Sequence, residues 1–184
     1  MPWDSGLRSR ELARVLDSGL VSPGRAVELG CGTGTNSVYL AQRGFEVTAL
    51  DCSPLALERA KQRAAQAGVS VDFVLADLCQ FEKVLPPFDF VFDRGCYHCA
   101  RRIDLAGFLK TLASLTRPGS RYLVLTGNAN EQSDEGPPRL HEHEIRADFE
   151  ALFAIEFVRE IRFEDAGGID GPLGWSCLMT RRNG

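Results

Sequence analysis

A chain of 184 residues, 44% hydrophobic and 25% charged, has the size and composition of one ordinary globular domain with room for a full central sheet covered on both faces. Its net charge of −4, with no basic block, argues against a nucleic-acid or anionic-membrane surface as the main partner. Six scattered cysteines, no charged-then-apolar leader and no run of transmembrane length point to reduced thiols and a cytoplasmic location.

In chain order, Arg8 to Leu20 carries a helical stripe of Leu12, Val15 and Leu16 that ends near Gly19. Pro23-Gly24 is a turn, and the short apolar run of Ala26, Val27 and Leu29 is the first strand. Thr35 to Arg43 reads as a helix closed by Gly44, and Phe45 to Leu50 as the second strand. Ser53-Pro54 opens a helix with a side-chain cap and a proline at the first position; Leu57, Ala60 and Ala64 face inward, and Gly68 ends it. Val69 to Leu75 alternates as a strand. Phe88 to Phe92 is near-continuously apolar, as suits a strand covered on both faces.

Asp104 can cap a helix carrying Leu105, Phe108, Leu109, Leu112 and Leu115, stopped by Arg117-Pro118-Gly119. Arg121 to Thr126 is a fifth strand, and Gly127 to Pro138 a polar loop too long for a tight turn. His141 to Phe153 reads as a helix; Ile155 to Phe163 and Gly174 to Thr180 finish as two strands. The order β-α-β-α-β-β-α-β-α-β-β predicts one α/β domain over residues 1–184, with a mostly parallel sheet and a final hairpin.

The chemistry concentrates between the first two strands. Gly30, Gly32 and Gly34 alternate where the first strand turns into a helix, letting the backbone bend sharply and a ligand approach it closely. Backbone N–H groups and a helix N-terminus then face whatever is bound. Asp51, at the tip of the second strand, suits a ribose diol because one carboxylate can accept from both hydroxyls. The dinucleotide fingerprint G-x-G-x-x-G needs its third glycine one residue later, which argues against a nicotinamide enzyme.

Taken with Asp51 and the later Asp77-Leu78 pair, Glu28-Leu-Gly-Cys-Gly-Thr-Gly34 resembles the first motif of class I S-adenosylmethionine-dependent methyltransferases. That resemblance spans nearly the whole chain. It implies a Rossmann-like, seven-stranded, mostly parallel sheet with helices on both faces and an antiparallel last strand. It also implies S-adenosylmethionine as methyl donor and S-adenosylhomocysteine as product. Few residues are left over for a target-recognition domain, so a small-molecule acceptor is implied, with no nucleic acid, no membrane, and a monomer or small homo-oligomer. The Pro2-Trp3-Asp4-Ser5-Gly6 opening is similar to small-molecule methyltransferases of the thiopurine and tellurite-resistance kind, which implies that residues 1–24 form a lid segment and helix, with Trp3 over the donor, ahead of a Rossmann-like core at 25–184.

The resemblance also distributes roles. Gly30, Cys31, Gly32 and Gly34 pass beneath the amino-acid and ribose portions, and Glu28 takes the ammonium or only stabilises the loop. Asp51 binds the ribose, Cys52 packs on the adenine, Asp77 accepts from the adenine amino group, and the Leu78 N–H meets a ring nitrogen. Asp93 and Arg94 contact the methionine end.

On the acceptor side stand Cys96, Tyr97, His98 and Cys99. His98 has the intrinsic pKa of a general base, with Tyr97 beside it; the alternative is that both only shape the pocket wall. Arg94, Arg101, Arg102 and Arg139 could steer an anion, or be solvated. No metal site is expected, since Cys96-x-x-Cys99 lacks a second ligand pair at recognisable spacing. A redox role is disfavoured too, because such a motif belongs at a helix start in a thioredoxin-like unit. The expected reaction is in-line transfer of a methyl group to S, O or N of a small molecule. Methylation of a soft anion or metalloid (tellurite, arsenite, halide) and a donor-binding module without turnover are the alternatives.

Overall fold

A computed structural model describes residues 6–132, 138–164 and 170–183. One sheet runs through the molecule in the order β3-β2-β1-β4-β5-β8-β7. Its strands are β1 (Arg25–Leu29), β2 (Glu46–Asp51), β3 (Asp72–Leu75), β4 (Phe88–Arg94), β5 (Thr116–Asn128), β7 (Phe153–Glu164) and β8 (Asp170–Arg181); a two-residue β6 (Arg139–Leu140) pairs with β5 outside that path. β1 to β5 pair in parallel, and β8 runs antiparallel to both β5 and β7. The antiparallel last strand is therefore as expected, while the described residues give eight strands rather than seven.

Helices α1 (Arg10–Asp17), α2 (Thr35–Gln42) and α3 (Pro54–Ala67) cover one face, and α4 (Tyr97–Leu115) and α5 (Glu142–Phe149) the other. Alternation along each strand divides the core. Ala26, Phe90 and Phe92 meet Leu12, Val15 and Leu40 on the first face, while Val27, Leu29 and Val91 meet Phe108, Leu112 and Phe149 on the second.

α1 is fixed by its N-terminal turn. Ser9 caps it by accepting from Leu12 N, and the Ser9 N–H donates to Asn36 Oδ1 at 2.9 Å. Glu11, 7% exposed, accepts from Arg159 Nε at 2.9 Å and Ser176 Oγ at 2.6 Å, which ties α1 to the β7–β8 hairpin. α3 begins at the Ser53 cap with Pro54 in its first turn and ends on Gly68 at φ +67°, as its sequence predicts.

Several boundaries differ from expectation. α4 starts at Tyr97, and Asp104 sits at a kink within it (φ −158°, ψ 91°), accepting from Gly107 N at 3.0 Å to restart the second segment. β5 begins at Thr116, carrying Arg117-Pro118-Gly119 in an irregularity between Phe88 and Phe90, where Ser120 Oγ donates to Phe88 O. β5 runs on to Asn128, taking the first two residues of the expected polar loop, and β6 follows directly after that loop's Pro138 end. Phe153 opens β7 instead of closing α5, because its ring packs fully buried against Tyr122 and Phe149. No helix among the described residues is long and apolar enough to cross a membrane.

Candidate active site

The parallel strands end on one side of the sheet, and the glycine loop lies there between β1 and α2. Gly30, Gly32 and Gly34 have φ of +64°, +54° and +79°, so all three need the left-handed backbone that side chains resist. Two are also sites of close approach. A Cβ on Gly30 would stand 2.7 Å from Cys96 Cβ, and one on Gly34 would stand 2.8 Å from Ala60 Cβ. The loop is thus wedged between α4 and α3.

Hydrogen bonds fix its course. Cys31 N donates to Leu50 O, and Gly34 N to Cys31 O. Asp51, half-buried at the end of β2, accepts from Gly32 N through Oδ2 and from Ser53 N through Oδ1, both at 2.8 Å. Each of those oxygens has a second lone pair to offer, so Asp51 can face a diol while anchored to the loop. Arg63 of α3 grips the loop from outside: Nε donates to Thr33 O at 3.0 Å and Nη2 to Thr33 Oγ1 at 3.3 Å. Thr35 Oγ1, at the first position of α2, is buried with no hydrogen-bond partner among the described residues. An orphaned hydroxyl at a helix N-terminus beside glycine backbone fits an anionic group such as the carboxylate of an amino acid.

Two carboxylates lie beneath the loop, on opposite faces of the sheet. Glu28, 2% exposed, accepts from Ser37 Oγ and from Asn36 Nδ2; burial pushes its carboxyl up to about 8. Asp93 has no exposure and accepts from Cys96 N at 2.8 Å, Tyr97 N at 3.0 Å and Tyr122 OH at 3.3 Å; burial raises it to about 7. Asp93 thereby caps α4, and its oxygens are committed to that helix rather than open to a ligand. Arg94, expected beside it, turns to the other face: its guanidinium lies 3.4 Å from Glu164 Oε2 and over the Phe163 ring.

Asp77 and Leu78 follow β3 on the same side of the sheet. Asp77 is exposed and accepts from Cys79 N through Oδ1, Leu78 is buried, and Ala76 N, just before Asp77, donates to Asp51 O. Cys52 is exposed and Cys31 buried. Trp3 lies outside the described residues.

The segment after β4 departs most from expectation. Cys96 is the N-cap position of α4, so the C-x-x-C motif does sit at a helix start; burial nevertheless pushes the Cys96 thiol well up and raises Cys99, the reverse of a reactive thiolate. Tyr97 is fully buried, its ring packed on Phe108 and Phe149 and its OH donating to Asp148 Oδ2 at 2.6 Å. It belongs to the core that joins α4 to α5, not to the pocket.

His98, 5% exposed, lies at the carboxyl end of β5: Gly127 N donates to its Nδ1 at 3.3 Å, and Thr126 Oγ1 is 3.1 Å from the same atom. A backbone N–H aimed at Nδ1 makes that nitrogen an acceptor, so the neutral ring carries its proton on Nε2. Burial lowers the imidazole to about 4, keeping it neutral. Its Nε2 edge lies over Gly95, 3.5 Å from where a Cβ would stand.

His98 lines a cavity of about 250 Å³ with Arg101, Arg102, Arg139, Leu140 and Glu144. Arg101 is held by Asp148 at 2.5 Å and Glu144 at 3.3 Å, whereas Arg102 is exposed and has no ion pair among the described residues. No group of three metal-ligating side chains occurs among the described residues. Sequence reasoning missed Asn36, Ser37, Arg63 and Thr126; the first two were legible as polar residues on the inner side of α2, the others only through tertiary contact.

Comparison with known proteins places these features. Residues 26–119 match a family model described as a methyltransferase domain. The chain is 27% identical over 176 residues to the 2-heptyl-1-hydroxyquinolin-4(1H)-one methyltransferase of Mycobacteroides abscessus, covering 90% of this chain and 77% of the relative. It is 29% identical over 164 residues to probable thiol methyltransferase 2 of Arabidopsis thaliana, covering 84% and 71%. A solved structure concerned with conversion of a disulfide bond into a thioacetal group during echinomycin biosynthesis shares the fold with a TM-score of 0.83 at 24% identity, over 99% of this chain and 84% of the other.

Proposed function

The chain belongs to the methyltransferase-domain family, and on that premise we propose that it moves the methyl group of S-adenosylmethionine to an oxygen, sulfur or nitrogen of a small molecule. The observation that carries this is Asp51, a carboxylate fixed by Gly32 N–H and Ser53 N–H beside three glycines with positive φ. When bound, S-adenosylmethionine supplies a methyl group on a sulfonium, already an excellent leaving group, so the protein mainly aligns and dehydrates the reactants.

Each residue then has a task at the donor. Asp51 accepts from the ribose hydroxyls, and the loop backbone at Cys31 to Gly34, with Thr35 Oγ1, meets the amino-acid carboxylate. Glu28, protonated in the ligand-free fold, offsets the ammonium charge once it gives up that proton on donor binding. Asp77 and the Leu78 N–H read the adenine, with Cys52 at its edge. Asp93 acts one step back, holding the first turn of α4 and with it Cys96 and His98. The cavity beside His98 takes the acceptor. The hydroxyquinolone and thiol named for the two relatives each bear an acidic O–H or S–H, which supports a hydroxyl or thiol nucleophile here.

The test is incubation with methyl-labelled S-adenosylmethionine and pooled thiols, phenols, hydroxyquinolines, halides and metalloid anions. Label entering a thiol or hydroxyl pool, with release of S-adenosylhomocysteine, is the expected result. Tight binding of S-adenosylhomocysteine with no label in any pool would contradict turnover.

A further inference from the structure

We propose that the acceptor reacts as an anion: the cavity beside His98 is built to bind an ionised hydroxyl or thiol and, among the described residues, presents no group that removes its proton. This rests on the methyl-transfer reading above and adds the charge state and class of the acceptor.

The lining is a set of donors and cations. His98 offers Nε2–H, because its Nδ1 is engaged by the Gly127 N–H. Arg101, Arg102 and Arg139 line the cavity wall, Arg139 also donating from Nη1 to Glu131 O at 3.4 Å. Among the described residues one lining carboxylate, Glu144, stands against them. That carboxylate is committed: Oε2 accepts from the His141 N–H at 2.9 Å and Oε1 pairs with Arg101 at 3.3 Å. The backbone N–H and neighbouring Arg101, His141 and His143 hold its pKa below the ordinary glutamate range, so it is a poor base.

The remaining charged groups packed around the cavity follow the same pattern. Asp148 lies behind Arg101, accepting from it and from the Tyr97 hydroxyl. Asp93, under the first turn of α4, is spent on backbone N–H groups. Arg102 is left with an exposed guanidinium and no acidic partner among the described residues. Among the described side chains a neutral phenol or thiol would meet no uncommitted carboxylate for its proton, while the anion would meet His98 Nε2–H and the Arg102 guanidinium.

The step then balances without a protein base. The acceptor gives its proton to solvent water before or during entry. Its lone pair forms the bond to the methyl carbon as the carbon–sulfur bond breaks, that electron pair going to sulfur. The negative charge of the acceptor and the positive charge of the sulfonium vanish together, leaving a methyl ether or thioether and a neutral sulfide.

4-Nitrophenol, whose ionised form is yellow, is the probe. Titrated between about pH 6 and about 9 into protein saturated with S-adenosylhomocysteine, the bound phenol is expected to ionise about one pH unit below the free phenol. Arg102→Gln should weaken binding of the yellow form about tenfold, and Lys110→Gln, an exposed charge farther along α4, should leave it unchanged. With a series of phenols of graded acidity, the pH profile of kcat/KM should shift with each acceptor. A bound phenol that ionises at or above the free value, or one pH profile common to every acceptor, would overturn the proposal while leaving methyl transfer standing. Failure of the wild-type protein to bind S-adenosylhomocysteine would instead remove the methyl-transfer reading, and this proposal with it.

Discussion

His98 Nδ1 accepts the backbone N–H of Gly127 at 3.3 Å, and that bond turns the best sequence candidate for a general base into a hydrogen-bond donor. His98→Phe keeps a ring over Gly95 but removes Nε2–H. It should slow transfer about tenfold, the worth of one hydrogen bond in the transition state, without changing the pH profile seen with a given acceptor. Loss of one limb of that profile in the variant would reinstate a base. The burial that lowers His98 to about 4 also sets a stability trend. Below about pH 6.5 the unfolded chain binds a proton that the fold refuses, so this residue costs stability as pH falls from there toward 4.

Glu28 works in the opposite direction. Its folded value of about 8 lies above its ordinary 4.5, so the folded state holds a proton that the unfolded state has already lost. Stability from this group is present below the ordinary glutamate range and declines as pH rises toward 8, by up to about 1.4 kcal/mol per unit. Asp93 adds to the decline up to about 7. Glu28→Gln, which can still accept from Ser37 and Asn36, should abolish most of the loss between pH 7 and 8 in urea unfolding of the ligand-free protein. An unchanged slope would mean that Glu28 is already ionised in the fold.

Tyr97→Phe separates core from pocket. It removes the 2.6 Å bond to Asp148, which keeps its contact with Arg101. The expected cost is about 1–2 kcal/mol in unfolding free energy, with kcat and both KM values within about twofold of wild type. A fall in kcat of tenfold or more at full folding would return Tyr97 to the catalytic group.

Arg63 should act on donor affinity from outside the site. Its two bonds orient Thr33, the residue between two glycines that would otherwise allow the peptide to turn. Arg63→Gln is expected to raise the Kd for S-adenosylhomocysteine about tenfold, with kcat at saturating donor nearly unchanged. Arg59→Gln, an exposed neighbour on α3, should alter neither.

What was legible in the sequence followed local rules. The glycine loop, the Ser53-Pro54 start and Gly68 stop of α3, and the order of the main strands all rest on backbone preference and short-range pattern. The first turns of α4 were not, because Tyr97-His-Cys-Ala-Arg-Arg102 has no apolar stripe; Asp93 starts the helix by accepting two backbone N–H groups. The placing of the candidate site residues divides the same way. Tyr97 looked like a pocket residue until Asp148, 51 positions away, claimed its hydroxyl. Arg94 likewise turned to Glu164, 70 positions on. Side-chain direction at these positions is decided by partners distant in sequence, which no local pattern encodes.

The central claim is that the Gly30–Gly34 loop and Asp51 seat S-adenosylmethionine, and calorimetric titration with S-adenosylhomocysteine tests it most directly. The wild-type protein should bind one molecule per chain, and Asp51→Ala should weaken binding by about 1.5–3 kcal/mol, the cost of losing hydrogen bonds to a charged acceptor. Absence of binding to the wild-type protein, or equal affinity in a folded Asp51→Ala variant, would contradict it.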